Sequence, residues 1–490
     1  MTGEGGACCR LRRSMQRSRT KGRPTGRERV PRSAVVALVP VILAIACQVQ
    51  GLRLLWLKWE GVDVAVFEAD TYAQGVRHAI ALGSAWPWDL TGRFWPFLLM
   101  APGIYLHLPL MAALPGGLPV LVFQGLAMGL TALLLALLAR REGADPALAA
   151  GLALVWMLHP ITGVAFAWGW SPYATAAPLL VGGLLALRAG RRRAAGVLLP
   201  VAAMMKINVA IMVGGLALAA AVGLVGGEWR RAGRVATGVA AAWVLVVGAV
   251  FAGATWCIGT LSEDLHIGGP SPATAAGSLT LLLVLAPLLP LLGRRGLLLS
   301  AAATGVELVY TAVVNPANSG LVPAAAVVAA AAALDLPTRP RPGWRLALAG
   351  LLALVGQQVF QPPRISPLPL TPAGLAYRAD PRGAAVRAWV DALPDDAWLL
   401  TFDPVNGAIG RHPGRVVEPQ EWDGRTRVAV LLDRALADRL GLAGCTAALV
   451  PESERGPEIV AGWCGERPPG PEERATPNLE CLDGLELDRP

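Results

Sequence analysis

The sequence predicts an all-α polytopic membrane domain of about eleven transmembrane helices, followed by a small extracytoplasmic α/β domain. Three observations predict this. Hydrophobic residues make up 54% of the 490 and charged residues only 16%, against about 25% charged in ordinary soluble domains; the mean hydropathy is +0.50. Ala, Leu, Val and Gly runs with almost no charge recur along the chain, many near the ~20 residues that cross a hydrocarbon core. The acids are segregated, 20 of the 34 lying after Gln361. Composition therefore separates a membrane part from a water-facing tail.

The expected spans are 33–52, 118–139, 147–167, 173–187, 194–205, 207–225, 235–256, 274–292, 297–314, 321–336 and 346–360. Charge asymmetry between successive loops orients them. Ten basic residues crowd the first 32 positions, and further arginines recur at 140–141, 188 with 191–193, 230–231 with 234, 294–295, and 339, 341 and 345. The short loops between them, 169–172, 257–272 and 315–320, hold no Arg or Lys. The net charge of +9 is thus the pattern of cytoplasmic loops facing an anionic leaflet, not of a nucleic-acid surface. The apolar stretch after Arg32 is too long for a cleaved signal peptide, and no A-x-A site closes it. The expected organisation is a basic disordered cytoplasmic arm (1–32), a membrane domain (33–360) with a first outer loop (53–117), an extracytoplasmic α/β domain (361–466) and a disordered acidic, Pro-rich tail (467–490).

Two segments need separate treatment. Residues 94–114 are apolar enough to span, yet counting them would invert every later loop, so they are expected to lie in the outer interface, anchored by Trp86, Trp88 and Trp95. The stretch 194–225 is too long for one span and too short for two, and Lys206 stands at its middle; two helical halves are expected to meet there near the outer face. In the tail, helices are expected over 382–393 and 433–440, and strands over 398–403, 415–417, 428–432 and 447–450. The seven cysteines include no C-x-x-C pair, and one disulfide, Cys445–Cys464, is compatible with an oxidising compartment.

The first outer loop carries Glu68 and Asp70, then Gln74, Arg77 and His78. Paired carboxylates at a membrane face suit a divalent cation such as Mg or Mn, or deprotonation of an acceptor hydroxyl; a solvated loop whose acids pair with Arg53, Lys58 or Arg77 is the alternative. Lys206 is one of only three lysines among 43 basic residues and lies in an apolar stretch, where a charge must snorkel, pair or face a wet cavity. Near the outer face it can meet a phosphate, with Asn208 beside it. Glu307 is a second charge inside an expected span. His159-Pro160 reads as a kink or a ligand, and Trp168, Trp170 and Tyr173 as an aromatic belt or a sugar platform. Glu263, Asp264 and His266 read as a solvated polar loop or as ligands to a metal. No P-loop, Rossmann fingerprint or nucleophile elbow is present.

An ordered series of motifs resembles the DUF2079 family of predicted membrane proteins: Phe67-Glu68 with Gln74, Arg93-Phe-Trp-Pro96, Ala101-Pro102 with Tyr105, Gln124, Leu158-His159-Pro160, Trp170-Ser-Pro-Tyr173, the Lys206 break, and the tail 385–419. The resemblance covers 52–450. That family in turn is similar to GT-C-type glycosyltransferases, which take a sugar from a polyprenyl-phosphate donor and pass it to an acceptor outside the membrane. The resemblance implies that Glu68, supported by Asp70, is the catalytic or metal-binding acid, and that Lys206 contacts the lipid phosphate. Gln74, Arg77, His78, Arg93, His159, Trp170, Tyr173, Asn208 and Glu307 complete the candidate substrate-binding set. The chain departs from the family pattern with Glu68 for Asp, Arg93 for His, Trp170-Ser-Pro-Tyr173 for Phe-His-Pro-Glu, Lys206-Ile207 for Lys-Glu, and Asn318-Ser319 for His-Tyr. The expected function is glycosyl transfer from a polyprenyl-phosphate-linked sugar at the outer face of the inner membrane. The alternative is a non-enzymatic membrane scaffold for envelope assembly; no inverted repeat points to a transporter.

Overall fold

The computed structural model describes residues 32–61, 73–74, 76–77, 80, 102–113, 116–167, 172–258, 285–313, 321–359, 367–401, 411–417, 422–452 and 457–466. Within them the chain is mostly helical until residue 359 and then forms a small sheet. Helices stand at ten of the eleven expected spans: α1 (Arg32–Glu60), α3 (Leu118–Arg141), α4 (Pro146–Leu158) with α5 (Pro160–Ala167), α6 (Pro172–Arg188), α7 (Arg192–Met205), α8 (Ile207–Ala221), α9 (Arg230–Ile258), α10 (Arg294–Val313), α11 (Leu321–Asp335) and α12 (Pro342–Val359). Most of span 274–292 lies outside the described residues, as do the basic arm before Arg32, the acidic tail and the loop with Glu263, Asp264 and His266. Of segment 94–114, the described part is a 3-10 turn, Pro102–His107, and a short helix α2, Leu108–Ala113.

Length separates the helices. Among the described residues only three are long and apolar enough to cross a bilayer alone, namely α1 from Val36, α3, and α11 with the turn that follows it; α4 and α5, bent by 50°, together make a fourth. The figure of eleven is not reached by this measure. Helices α6, α7 and α8 have 17, 14 and 15 residues, short of the ~20 a straight span needs.

Local chemistry explains the helix ends. Asp145 caps α4, accepting from Leu148 N at 2.9 Å, and Pro146 follows at the first helical position. The bend comes at His159, held extended (φ −65°, ψ 135°) before Pro160, because proline disfavours the helical region for its predecessor. The carbonyls freed there are satisfied by side chains: Thr162 Oγ1 donates to Trp156 O at 2.7 Å, and Gln357 Nε2 from α12 donates to Leu158 O at 2.9 Å. Gln124 Nε2 likewise donates to Ala165 O at 2.6 Å. In a bilayer such a break survives only where its backbone groups find partners of this kind. Helix α11, buried along its whole length and Ala-rich, lies at the centre against α3, α6 and α10; small side chains let these helices approach closely.

One end of the bundle is arginine-rich, and those arginines cap carbonyls. Arg188 pairs with Glu142 at 2.7 Å and donates to Val225 O at 2.8 Å, Arg295 donates to Leu224 O at 2.7 Å, and Arg345 donates to Pro290 O at 2.7 Å. Asp335 accepts from Gly296 N at 2.8 Å and from Gly293 N, capping the N-terminus of α10 from another helix.

The α/β domain sits at the opposite end. After two short helices, α13 (Pro372–Ala376) and α14 (Arg382–Asp391), it has strands β1 (Leu399–Thr401), β2 (Val416–Val417), β3 (Val428–Asp433), β4 (Thr446–Val450) and β5 (Ile459–Cys464), with α15 (Arg434–Arg439) after β3. The order is β2-β1-β3-β5-β4. β1 runs parallel to β2 and β3, while β5 is antiparallel to β3 and β4. The strand β5 is absent from the sequence reading. Gly462 within it is required, because a Cβ there would lie 2.1 Å from Cys445 O.

Cys445 and Cys464 are joined in a disulfide, with Cα atoms 5.3 Å apart, within the ordinary bridging range. Replacing both by serine is expected to lower the unfolding free energy of this domain by about 2–4 kcal/mol, read from denaturant unfolding of the full chain. Reductant should reproduce the loss in the wild type and add nothing to the double variant.

Candidate functional site

The end of the bundle that carries the α/β domain is built from helix ends. Helix α1 continues to Glu60, past the expected end at 52, because Leu54, Leu55 and Lys58 turn inward. Lys58 is fully buried and its Nζ donates to Ala167 O, at the last residue of α5, at 2.6 Å. An ammonium there satisfies an orphan carbonyl and matches the negative end of the helix dipole. The C-terminal carbonyls of α1 are taken from the other side: Arg387 of α14 donates to Trp59 O at 3.3 Å and to Glu60 O, with its guanidinium 5.5 Å from the Trp59 ring centroid. Gln50 Nε2 donates to Pro369 O at 3.1 Å, and Arg53 to Tyr377 O at 3.2 Å. The α/β domain is thus fixed to α1 by side chains that donate to main-chain carbonyls.

Lys206 lies at the junction of α7 and α8, extended at φ −166° and ψ 156°. Its ammonium is 4.5 Å from the ring centroid of Tyr173, which is buried in the first turn of α6. Thr175, in the same turn, holds Pro172 O at 2.8 Å and reaches Met205 Sδ at 3.5 Å. The 3-10 turn lies against the break at Gly103, where a Cβ would come 2.7 Å from Met205 Cα and 3.0 Å from Met204 O. Only glycine permits that approach. Lys206 O accepts from Val209 and Ala210, so Lys206 is the N-cap of α8, with Asn208 buried in the first turn. A cation beside a helix N-terminus is a favourable place for phosphate.

The remaining candidates divide. Gln74 is buried and donates to Gly414 O of the α/β domain at 2.6 Å, and Arg77 lies one turn along the same short helical stretch. His159 is buried at the α4–α5 bend, its Nδ1 accepting from Ile161 N at 3.3 Å and its ring stacked on Trp156; these are the contacts of the kink. Glu307 lies within α10, its side chain outside the described residues. Glu68, Asp70, His78, Arg93 and Trp170 also lie outside them. Among the described residues no three His, Cys, Asp or Glu side chains converge to hold a metal. The sequence reading missed Lys58 as a structural cation, although its rarity among the lysines was visible.

A bundle of apolar helices with a small α/β domain on one end is the architecture of a polytopic membrane protein. Residues 100–255 match the profile of the family described as "Predicted membrane protein (DUF2079)", the family that the ordered motifs resemble, over a shorter stretch than 52–450. No curated protein matches the sequence. Among solved structures the chain is similar to the crystal structure of ArnT from Cupriavidus metallidurans bound to undecaprenyl phosphate, with TM-score 0.52 and 14% identity over 86% of this chain and 97% of that one. The apo state of the same protein gives TM-score 0.49 and 13% identity over 80% and 93%. At these identities the likeness is one of fold.

Proposed function

We propose that this chain is a membrane glycosyltransferase that takes a sugar from a polyprenyl-phosphate carrier and passes it to an acceptor at the face bearing the α/β domain. The observation that carries the reading is the Lys206 break, where an ammonium, an aromatic face and a helix N-terminus meet at that face. The fold likeness to a protein whose crystal structure holds undecaprenyl phosphate supports it. The disulfide and the arginine-capped opposite end favour an inner-membrane placement with the N-terminus cytoplasmic and the α/β domain outside.

In this reading Glu68, with Asp70 in support, accepts the proton of the acceptor hydroxyl. The acceptor oxygen forms its bond to the anomeric carbon as the bond from that carbon to the phosphate oxygen breaks. The electron pair leaves with the polyprenyl phosphate, whose charge Lys206 stabilises. Gln74, Arg77, His78, Arg93, His159, Trp170, Tyr173, Asn208 and Glu307 are the remaining residues assigned to substrate. A divalent cation on Glu68 and Asp70 belongs to the proposal, but no step depends on it.

The test is transfer by the purified chain in nanodiscs from a panel of polyprenyl-phosphate-linked sugars. Glu68→Gln is expected to lower the rate by about 10²- to 10⁴-fold, the usual contribution of a general base, with the unfolding midpoint unchanged. Transfer at the wild-type rate in that variant would remove Glu68 from the chemistry.

A further inference from the structure

The loop between α8 and α9 gathers arginines from four helices. Arg188, the last residue of α6, donates to Val225 O at 2.8 Å. Arg295 of α10 donates to the same oxygen at 3.1 Å and to Leu224 O at 2.7 Å. Arg230, at the start of α9, lays its guanidinium on Gly223, where a Cβ would come 2.8 Å from Nε and 3.0 Å from Nη2. Arg192, at the start of α7, stands 5.8 Å from the ring centroid of the buried Trp229. Four guanidiniums thus meet the single stretch 223–229.

Carboxylates do not balance them. Glu142 is taken by Arg188 at 2.7 Å, Asp145 by the cap of α4 and Asp335 by the cap of α10. Glu228, folded against Gly226, is the acid of the loop itself. Among the described residues no carboxylate forms an ion pair with Arg192, Arg230 or Arg231. The chain before Arg32 lies outside the described residues, and its nine basic residues outnumber its two acids, Glu4 and Glu28. Glu263 and Asp264 follow the far end of α9.

The helices that leave this cluster are apolar on their outer faces. On α7, Arg193, Val197, Pro200 and Met204 are exposed at i, i+4, i+7 and i+11, which is one face of a helix. On α9, Arg231, Val235 and Val239 are exposed at i, i+4 and i+8. Helix α8 packs against both. Each face carries an arginine at the loop end and apolar side chains beyond it. A phospholipid divides the same way, into an anionic head group and hydrocarbon chains, and basic pockets between transmembrane helices suit such head groups. A soluble anion complements the arginines alone.

We propose that the loop 222–229, with the first turns of α7 and α9, binds an anionic phospholipid of the arginine-bearing leaflet. Arg192 and Arg230 hold its phosphate through charge-assisted hydrogen bonds, and its acyl chains lie along the exposed faces of α7 and α9. The site is at the opposite end of the bundle from the Lys206 break and does not depend on the transferase reading.

The experiment follows the unfolding midpoint of the full chain in phosphatidylcholine nanodiscs as phosphatidylglycerol replaces part of the lipid at constant ionic strength. The midpoint is expected to rise with the phosphatidylglycerol fraction. In the double variant Arg192→Gln with Arg230→Gln, the half-effective fraction should rise about 10-fold or more, the loss of charge-assisted contacts. Arg294→Gln with Arg341→Gln removes the same charge from exposed positions of the same end and should move it much less. Should the first variant fail to fold in phosphatidylcholine alone, Arg231→Gln carries the test; a severalfold shift is expected, and none overturns the site. Equal shifts in the two double variants would reduce the effect to diffuse leaflet charge and overturn the site, as would a wild type indifferent to phosphatidylglycerol. An equal rise given by inorganic phosphate in pure phosphatidylcholine would overturn the lipid as the ligand.

Discussion

Replacing Lys206 by methionine is expected to weaken binding of undecaprenyl phosphate by about 10- to 100-fold, equivalent to losing one charge-assisted contact, while the protein stays folded. Methionine keeps the apolar stem that lies along the break and loses only the ammonium. The contact given up with Tyr173, 4.5 Å from the ammonium, is a cation–π interaction of about 0.5–2 kcal/mol, and a charge in an apolar stretch carries a cost of its own. Stability should therefore move little. Lys206→Arg should keep most of the affinity, since a cation remains. Unchanged affinity in Lys206→Met would make the residue a snorkelling cation at a helix end.

The opposite balance is expected at Lys58. Lys58→Met should destabilise the protein by about 1–3 kcal/mol, because it strands a buried acceptor, here Ala167 O with its 2.6 Å bond. The damage would spread along a defined path: Ala167 ends α5, and α6 begins five residues later with Tyr173 in its first turn. Phosphate binding should fall less than in Lys206→Met, through displacement of Tyr173. Denaturant unfolding and lipid titration of the same preparations distinguish the two lysines. A Lys58→Met protein as stable as the wild type would mean that the helix end finds another donor.

These two residues illustrate what the sequence makes legible. Lys206 stands out because a lone charge between apolar halves is a local signal, and the helices do break there. Lys58 does not, because its acceptor is a carbonyl 109 positions away. The tail of α1 was hidden for a related reason: Arg53, Lys58 and Glu60 look like loop chemistry until their partners in the α/β domain and α5 are in place. The kink at His159-Pro160 was readable from proline stereochemistry, whereas the Asp145 cap that starts α4 was not read and the span was expected to run unbroken over 147–167. The arginines that signal orientation also close helix ends across the bundle, a second use that loop counting cannot detect. The strand β5 escaped because Gly462 and the preceding Pro457-Glu458 look like a turn, whereas pairing with β3 and β4 overrides that propensity. Of the candidate site, the Lys206–Tyr173 and Gln74–Gly414 pairings are in place, while Glu68 and Asp70 remain assigned by resemblance.

The most direct test of the account is the affinity of the purified chain for undecaprenyl phosphate compared with undecaprenol, measured in the same neutral nanodiscs. The two lipids differ only in the phosphate, so the comparison isolates the head group from the tail. The account predicts that the phosphate improves affinity at least about tenfold, or ~1.4 kcal/mol, and that Lys206→Met removes most of that preference. Equal binding of the two lipids by the wild type would contradict it, because a carrier whose phosphate is not recognised cannot be the donor of this site.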